Sequence, residues 1–201
     1  MRELNSNFIF EFKAGDNICY NFEILKQLYE AKSKLPKNKK ALFNKPIIII
    51  IVSIIEAIFK DFYERIRSTN ELIDILSSDT LKYFESKDLR TFESLIIAFK
   101  KHNILDVEPF FYDYLDFLRK VRNRVHIKLN KGDLAPDDRN VFNERILEKS
   151  EIICETVITK MDMSYCRNIL LHHYVDSFYI PWEPRKIYPS NNCKKSSTLI
   201  S

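Results

Sequence analysis

The sequence predicts an all-α helical bundle, and three observations carry that prediction. Apolar residues recur at three- and four-residue spacing over most of the chain, the period of a helix with one buried face. Glycine is nearly absent, with 2 in 201 residues, Gly15 and Gly132, so tight hairpins that need φ > 0 have little support. Hydrophobic residues make up 45% of the chain, with 15 Phe and 10 Tyr, which is enough bulk for one large core. A chain of this length supports one domain. The expected organisation is a single helical domain over residues 1–180 and an extended or disordered tail over 181–201.

The elements follow in order. Asn7 to Lys13 alternates in part, through Phe8, Phe10 and Phe12, which allows a short N-terminal strand. Asn17 is a candidate cap for a helix carrying Phe22, Leu25, Leu28 and Tyr29 and ending near Leu35. Pro36 to Lys40 reads as a basic, solvated turn. Pro46 suits the first turn of a long helix from Ile47 to about Arg67. Its apolar start, Ile47 to Ile55, belongs at the centre of the core or at a subunit interface. That run is shorter than the roughly 18 apolar residues needed to span a bilayer, and Glu56, Lys60 and Asp61 follow at once. No membrane association is expected.

Thr69 or Asn70 caps a short predicted helix with Leu72, Ile73, Ile75 and Leu76. Leu89 to Lys101 is a further helix, with Phe92, Leu95, Ile96 and Phe99 inward. Pro109 opens the next, Phe110 to about Leu129. Asn130 to Gly132 breaks it, Asp133 to Asp138 is an acidic loop, and a long helix runs from about Asp137 to Lys160. Ser164 to Tyr179 reads as one more helix. In the tail, Trp182 either packs onto the body or marks a small partner site.

Composition also excludes function classes. Gly-rich phosphate loops and dinucleotide-binding turns need several glycines for close backbone approach, and neither glycine sits in such a pattern. Cys19, Cys154, Cys166 and Cys193 are scattered, without zinc-ligand spacing. His172 and His173 are adjacent, so on a helix they diverge by about 100° and share no ligand. Neither a metal nor a cofactor is expected. The polar start, Met1 to Ser6, is unlike a secretory leader, which points to the cytoplasm.

One segment stands apart. Arg119 to Lys131 holds Arg119, Lys120, Arg122, Arg124, Lys128 and Lys131, with His126 and no acid, in a chain with 28 Asp and Glu. On a helix, Arg119, Arg122, Asn123 and His126 fall within an arc of roughly 100°. Phe111, Tyr114, Leu118, Val121 and Val125 share the neighbouring arc, so the polar set borders the buried face. Arg124, Lys120 and Lys128 point elsewhere. A basic face is most often a solvated face, but these residue types have specific chemistry. Arginine offers planar paired donors to phosphate, and histidine exchanges protons near neutral pH.

Leu118 to His126, read Leu-Arg-Lys-Val-Arg-Asn-Arg-Val-His, resembles the signature of HEPN domains, an Arg followed by a polar residue and then His after four to six residues. Ser53-Ile54-Ile55-Glu56-Ala57 resembles the earlier apolar helix whose glutamate accompanies that signature. The resemblance covers Asn44 to about Lys160. Arg122-Asn123 reaches His126 across three residues, one fewer than usual; Arg119-Lys120 reaches it across six, with Lys where Asn is expected. Either arginine fits the role.

The resemblance implies a helical bundle that dimerises and cleaves RNA without metal, as in toxins and phage-defence effectors, with an antitoxin or defence protein as partner. It equally implies a non-catalytic binding or regulatory module, since members of both kinds exist. In the catalytic case His126 moves the proton of the 2′-hydroxyl or of the leaving 5′-oxygen. Arg119 or Arg122 holds the phosphate, Asn123 positions the pair, and Glu56 either orients an arginine or pairs with Lys60 at i,i+4.

Overall fold

A computed structural model describes residues 2–125, 137–167 and 175–184. The chain is an all-α bundle with one small two-stranded sheet, as the low glycine content and helical periodicity require. Its elements are β1 (Arg2–Leu4), α1 (Phe12–Ser33), α2 (Lys37–Lys40), α3 (Asn44–Ser68), α4 (Ser78–Ser86), α5 (Phe92–Lys101), α6 (Pro109–Arg122), α7 (Asp138–Val141), α8 (Glu144–Tyr165) and β2 (Phe178–Ile180).

α3 is the central helix. α8, α1, α6, α5 and α4 all pack on it, because it is apolar almost all round at its start: Ile47, Ile48, Ile51, Val52 and Ile55 are fully buried within the chain itself. The helical stretch Lys37–Ser68 is long and apolar enough to cross a membrane by composition. The apolar run is therefore longer than Ile47 to Ile55 suggested, but protein covers its buried faces. Farther along, Phe59 stacks on Phe99 of α5 with ring centroids 3.8 Å apart, and Phe62 meets Tyr165 at the end of α8.

Several boundaries differ from the sequence reading, each for a tertiary reason. The strand lies at Arg2–Leu4, not within Asn7 to Lys13. Phe8 and Ile9 are consecutive and both buried, which breaks the alternation. α1 begins at Phe12 and Asn17 lies inside it. The capping carboxylate comes from α3 instead: Asp61 accepts from the Phe10 and Glu11 backbone amides, both at 2.8 Å. Pro36 to Lys40 is not merely a turn, since α2 runs through a 3₁₀ segment, Ala41–Phe43, directly into α3.

The short helix expected around Leu72 to Leu76 is a series of turns. A helix forms instead at Ser78–Ser86, where the Ser77 hydroxyl accepts from the Thr80 amide at 3.3 Å. The helix expected from Asp137 to Lys160 is split at Phe142 and Asn143. Phe142 is buried, and the Asn143 side chain caps α8 by accepting from the Ile146 amide at 3.0 Å. Ser164 to Tyr179 is not one helix: α8 stops at Tyr165, and Phe178 and Tyr179 belong to β2. β2 pairs antiparallel with β1 in the register Arg2↔Ile180, Glu3↔Tyr179, Leu4↔Phe178.

Trp182 is buried beside Phe22 and Tyr29. Its indole donates to Glu155 at 3.4 Å, and Arg2 pairs with the same carboxylate. The first residues assigned to the tail thus pack on the body, while 185–201 lie outside the described residues.

Candidate functional site

α6 forms because Pro109 occupies its first turn, where a missing N–H costs nothing, and because Phe111, Leu115, Leu118 and Val121 recur at helical spacing and are all buried. The α-helix ends at Arg122, earlier than the expected Leu129, and a 3₁₀ turn, Asn123–Val125, follows. The tighter turn rotates Val125 off the buried face, and it is 45% exposed. His126 lies outside the described residues, as do Lys128, Lys131 and the acidic residue Asp133.

The helix places Arg119 and Arg122 on its border with α3 and α5, and acids from other elements meet them. Arg122 Nη2 donates to Glu56 of α3. Glu56 also pairs with Lys60, 2.8 Å away at i,i+4, so the two roles open to this glutamate in the sequence are both filled. Arg122 Nε is buried without a hydrogen-bond partner among the described residues. Arg119 lies between two acids, its Nε 2.7 Å from Asp116 and its Nη2 3.2 Å from Glu93 of α5.

Lys120 is also 2.7 Å from Asp116. Burial works to raise the Asp116 pKa, but hydrogen bonds from Lys120 and Arg119, with their charges, hold this carboxyl below its ordinary value. Arg124 does not point freely to solvent: it reaches Asp138 at 3.4 Å, and Asp138 also holds Lys45 at 2.6 Å. Asn123 is exposed.

The structure therefore brings together Glu56, Arg119 and Arg122 on one side of α6, with Asn123 at its end. Sequence reasoning missed Asp116 and Glu93, and read Asp138 only as part of an acidic loop. Asp116 had a readable signal, since it precedes Arg119 and Lys120 at i,i+3 and i,i+4. Glu93 and Asp138 had none, because only the packing of α5 and α7 brings them near.

The acid-free stretch in the sequence is thus not an acid-free surface. Each basic residue described there, from Arg119 to Arg124, has a carboxylate partner. Chemically, Arg122 has the more open guanidinium environment, with its side chain 24% exposed against 12% for Arg119, and one acid among the described residues orients it. Comparison with protein families, with curated proteins and with solved structures finds no match to this chain.

Proposed function

We propose that this chain is a HEPN-like, metal-independent endoribonuclease, with Arg122 as the arginine of its site. The observation that supports this reading is the Glu56–Arg122 pair. The glutamate of the central apolar helix reaches across to the second arginine of the motif and leaves the first, Arg119, held by Asp116 and Glu93. An oriented arginine, with a histidine four positions on in the sequence, supplies the groups that phosphate transesterification needs.

In this reading Arg122 binds a non-bridging phosphate oxygen, and Asn123 helps position the group. His126 takes the proton of the 2′-hydroxyl, the 2′-oxygen attacks phosphorus, and the bond to the 5′-oxygen breaks. The leaving oxygen needs a proton of its own. One imidazole does not supply both transfers at once, so a second copy of the chain completes the site. A cytoplasmic toxin or phage-defence effector, held in check by a partner protein, suits such an activity.

A second reading has its own support. The acids paired with Arg119, Lys120, Arg122 and Arg124 offset the charge that RNA would meet, and this favours a non-catalytic binding or regulatory module.

A cleavage assay separates the two. The purified chain is expected to cut single-stranded RNA in excess EDTA, leaving cyclic or terminal 3′ phosphate, and to spare DNA, which lacks the attacking hydroxyl. His126→Ala should slow cleavage by roughly 10²–10⁴, the usual contribution of a positioned acid or base. Exposed Lys82 on α4 supplies the control, Lys82→Ala. Parent-like cleavage by His126→Ala removes the assigned site. No cleavage by the parent across varied RNAs transfers the conclusion to the binding module.

A further inference from the structure

The most concentrated unneutralised charge among the described residues is not on α6. Lys34, Lys37, Lys39, Lys40 and Lys45 follow within twelve positions with no Asp or Glu between them. Two of their neighbours in charge are already paired: Lys45 with Asp138 and Lys32 with Glu144. Lys34, Lys37, Lys39 and Lys40 have no ion-pair partner among the described residues, and the first three are exposed. They sit where α1 ends and α2 begins. Pro36 fixes the corner, and the helical backbone of α2 holds Lys37, Lys39 and Lys40 close together.

This corner continues into the site. From Lys40 the chain runs through the 3₁₀ segment into α3, so Lys45 lies on the order of 8–10 Å farther along the axis at the rises of the two helix types. Lys45 shares Asp138 with Arg124 at the end of the motif segment, and α3 then carries Glu56, the partner of Arg122. One continuous helical path therefore joins Lys37, Lys39 and Lys40 to Glu56, the partner of the oriented arginine.

We propose that Lys34, Lys37, Lys39 and Lys40 form a docking site for the sugar–phosphate backbone of single-stranded RNA, extending the site at Arg122 along the start of α3. The proposal rests on the RNA reading of that site. Lysines are compact point charges on flexible stems, suited to following a backbone without reading sequence. An anionic membrane is the less suitable partner. A helix that lies on a bilayer needs an apolar face, and α2 is Lys-Asn-Lys-Lys, with Leu42 the one large exposed apolar side chain nearby, 66% exposed.

The test is binding of a fluorescent, non-cleavable 2′-O-methyl oligoribonucleotide to the full chain, by anisotropy, between about 0.05 and 0.3 M KCl, a range over which phosphate contacts weaken steeply. The variants are Lys34→Gln/Lys37→Gln/Lys39→Gln/Lys40→Gln and, to keep the test intact if that chain does not fold, Lys37→Glu/Lys39→Glu. The expected result for the four-fold variant is about tenfold weaker binding, with the slope of log affinity against log salt smaller by roughly 2–3, near 0.7 per lost phosphate contact. Parent-like affinity and slope in folded variants overturn the proposal. So does lysine-dependent binding to phosphatidylserine-containing vesicles with RNA binding unchanged. If the parent cuts no RNA yet binds it in this lysine-dependent way, the docking site stands and the nuclease reading falls.

Discussion

At the residue scale, the decisive fact is how carboxylates are distributed among the basic side chains of α6. Among the described residues Arg119 has two acid partners and Arg122 has one, and the two arginines should therefore fail differently when removed. Arg122→Ala is expected to lower RNA cleavage by about 10²-fold or more, as loss of a charge-stabilising donor does. Arg119→Ala should show mainly as a lower melting temperature, because it frees Asp116 and Glu93 from their shared cation. Equal loss of rate in the two variants, with stability unchanged, would reverse these roles. Asp61 gives a second prediction. Burial raises its pKa from the ordinary 3.8 to about 6, against the pull of the Phe10 and Glu11 amides. The folded state thus holds this proton more tightly than the unfolded one. The stability Asp61 contributes is fully present below pH 4 and is lost as pH rises through 6, by roughly 3 kcal/mol at most. Denaturant unfolding of the parent and of Asp61→Asn across this window measures it: the parent should lose ground to the variant up to about pH 6 and hold level above. A constant difference between the two would show that Asp61 titrates normally.

At the element scale, the packing of α1 against the segment before β2 sets a tight constraint. Gly15 lies on the buried face of α1, and a Cβ placed there would overlap both methyl groups of Val175. Gly15→Ala improves helix propensity by about 1 kcal/mol, but overpacking a filled contact costs roughly 1–3 kcal/mol. Valine is stiff at χ1 and cannot swing aside, so net destabilisation is expected. Adding Val175→Ala should recover part of the loss, because it removes the two methyl groups in the way. A double variant no more stable than Gly15→Ala would mean that the backbone, not the valine, resists. This helix also shows why its start was not legible: its cap is Asp61, some fifty residues away in sequence. The starts of the helices begun by Thr91 and Ser94 and by Pro109 were placed by the sequence to within a few residues.

At the scale of the whole molecule, the question is whether one chain is enough. Ile47 to Ile55 was a candidate subunit interface, but its side chains largely fill the core of their own chain. That leaves the motif helix α6 for a partner copy; its Phe110 and Phe117, 55% and 41% exposed, share the side of Lys120, away from Arg119 and Arg122. If the site needs a second histidine, light scattering should find a dimer at tens of micromolar, which requires only about 6–7 kcal/mol of association free energy. Dimers that mix parent and His126→Ala chains should cleave far more slowly than the parent, since the shared site would then hold a single intact histidine. A monomer that cleaves at full rate would exclude the composite site.

The sequence by itself determined the helical class, the identity of the central helix and the location of the Arg-Asn-His segment, because these depend on local properties: glycine content, apolar period and the residue types at adjacent positions. It also placed Glu56 as a candidate partner for an arginine. Only the tertiary structure decided which arginine it meets, that Arg119 lies between Asp116 and Glu93, and that Arg124 and Lys45 share Asp138. It likewise decided that the N-terminal strand pairs with Phe178–Ile180. The physical reason is common to all of these. A charge or a strand edge is satisfied by whatever comes within a few ångströms of it, and that neighbour is set by how the helices pack around α3, not by its distance along the chain.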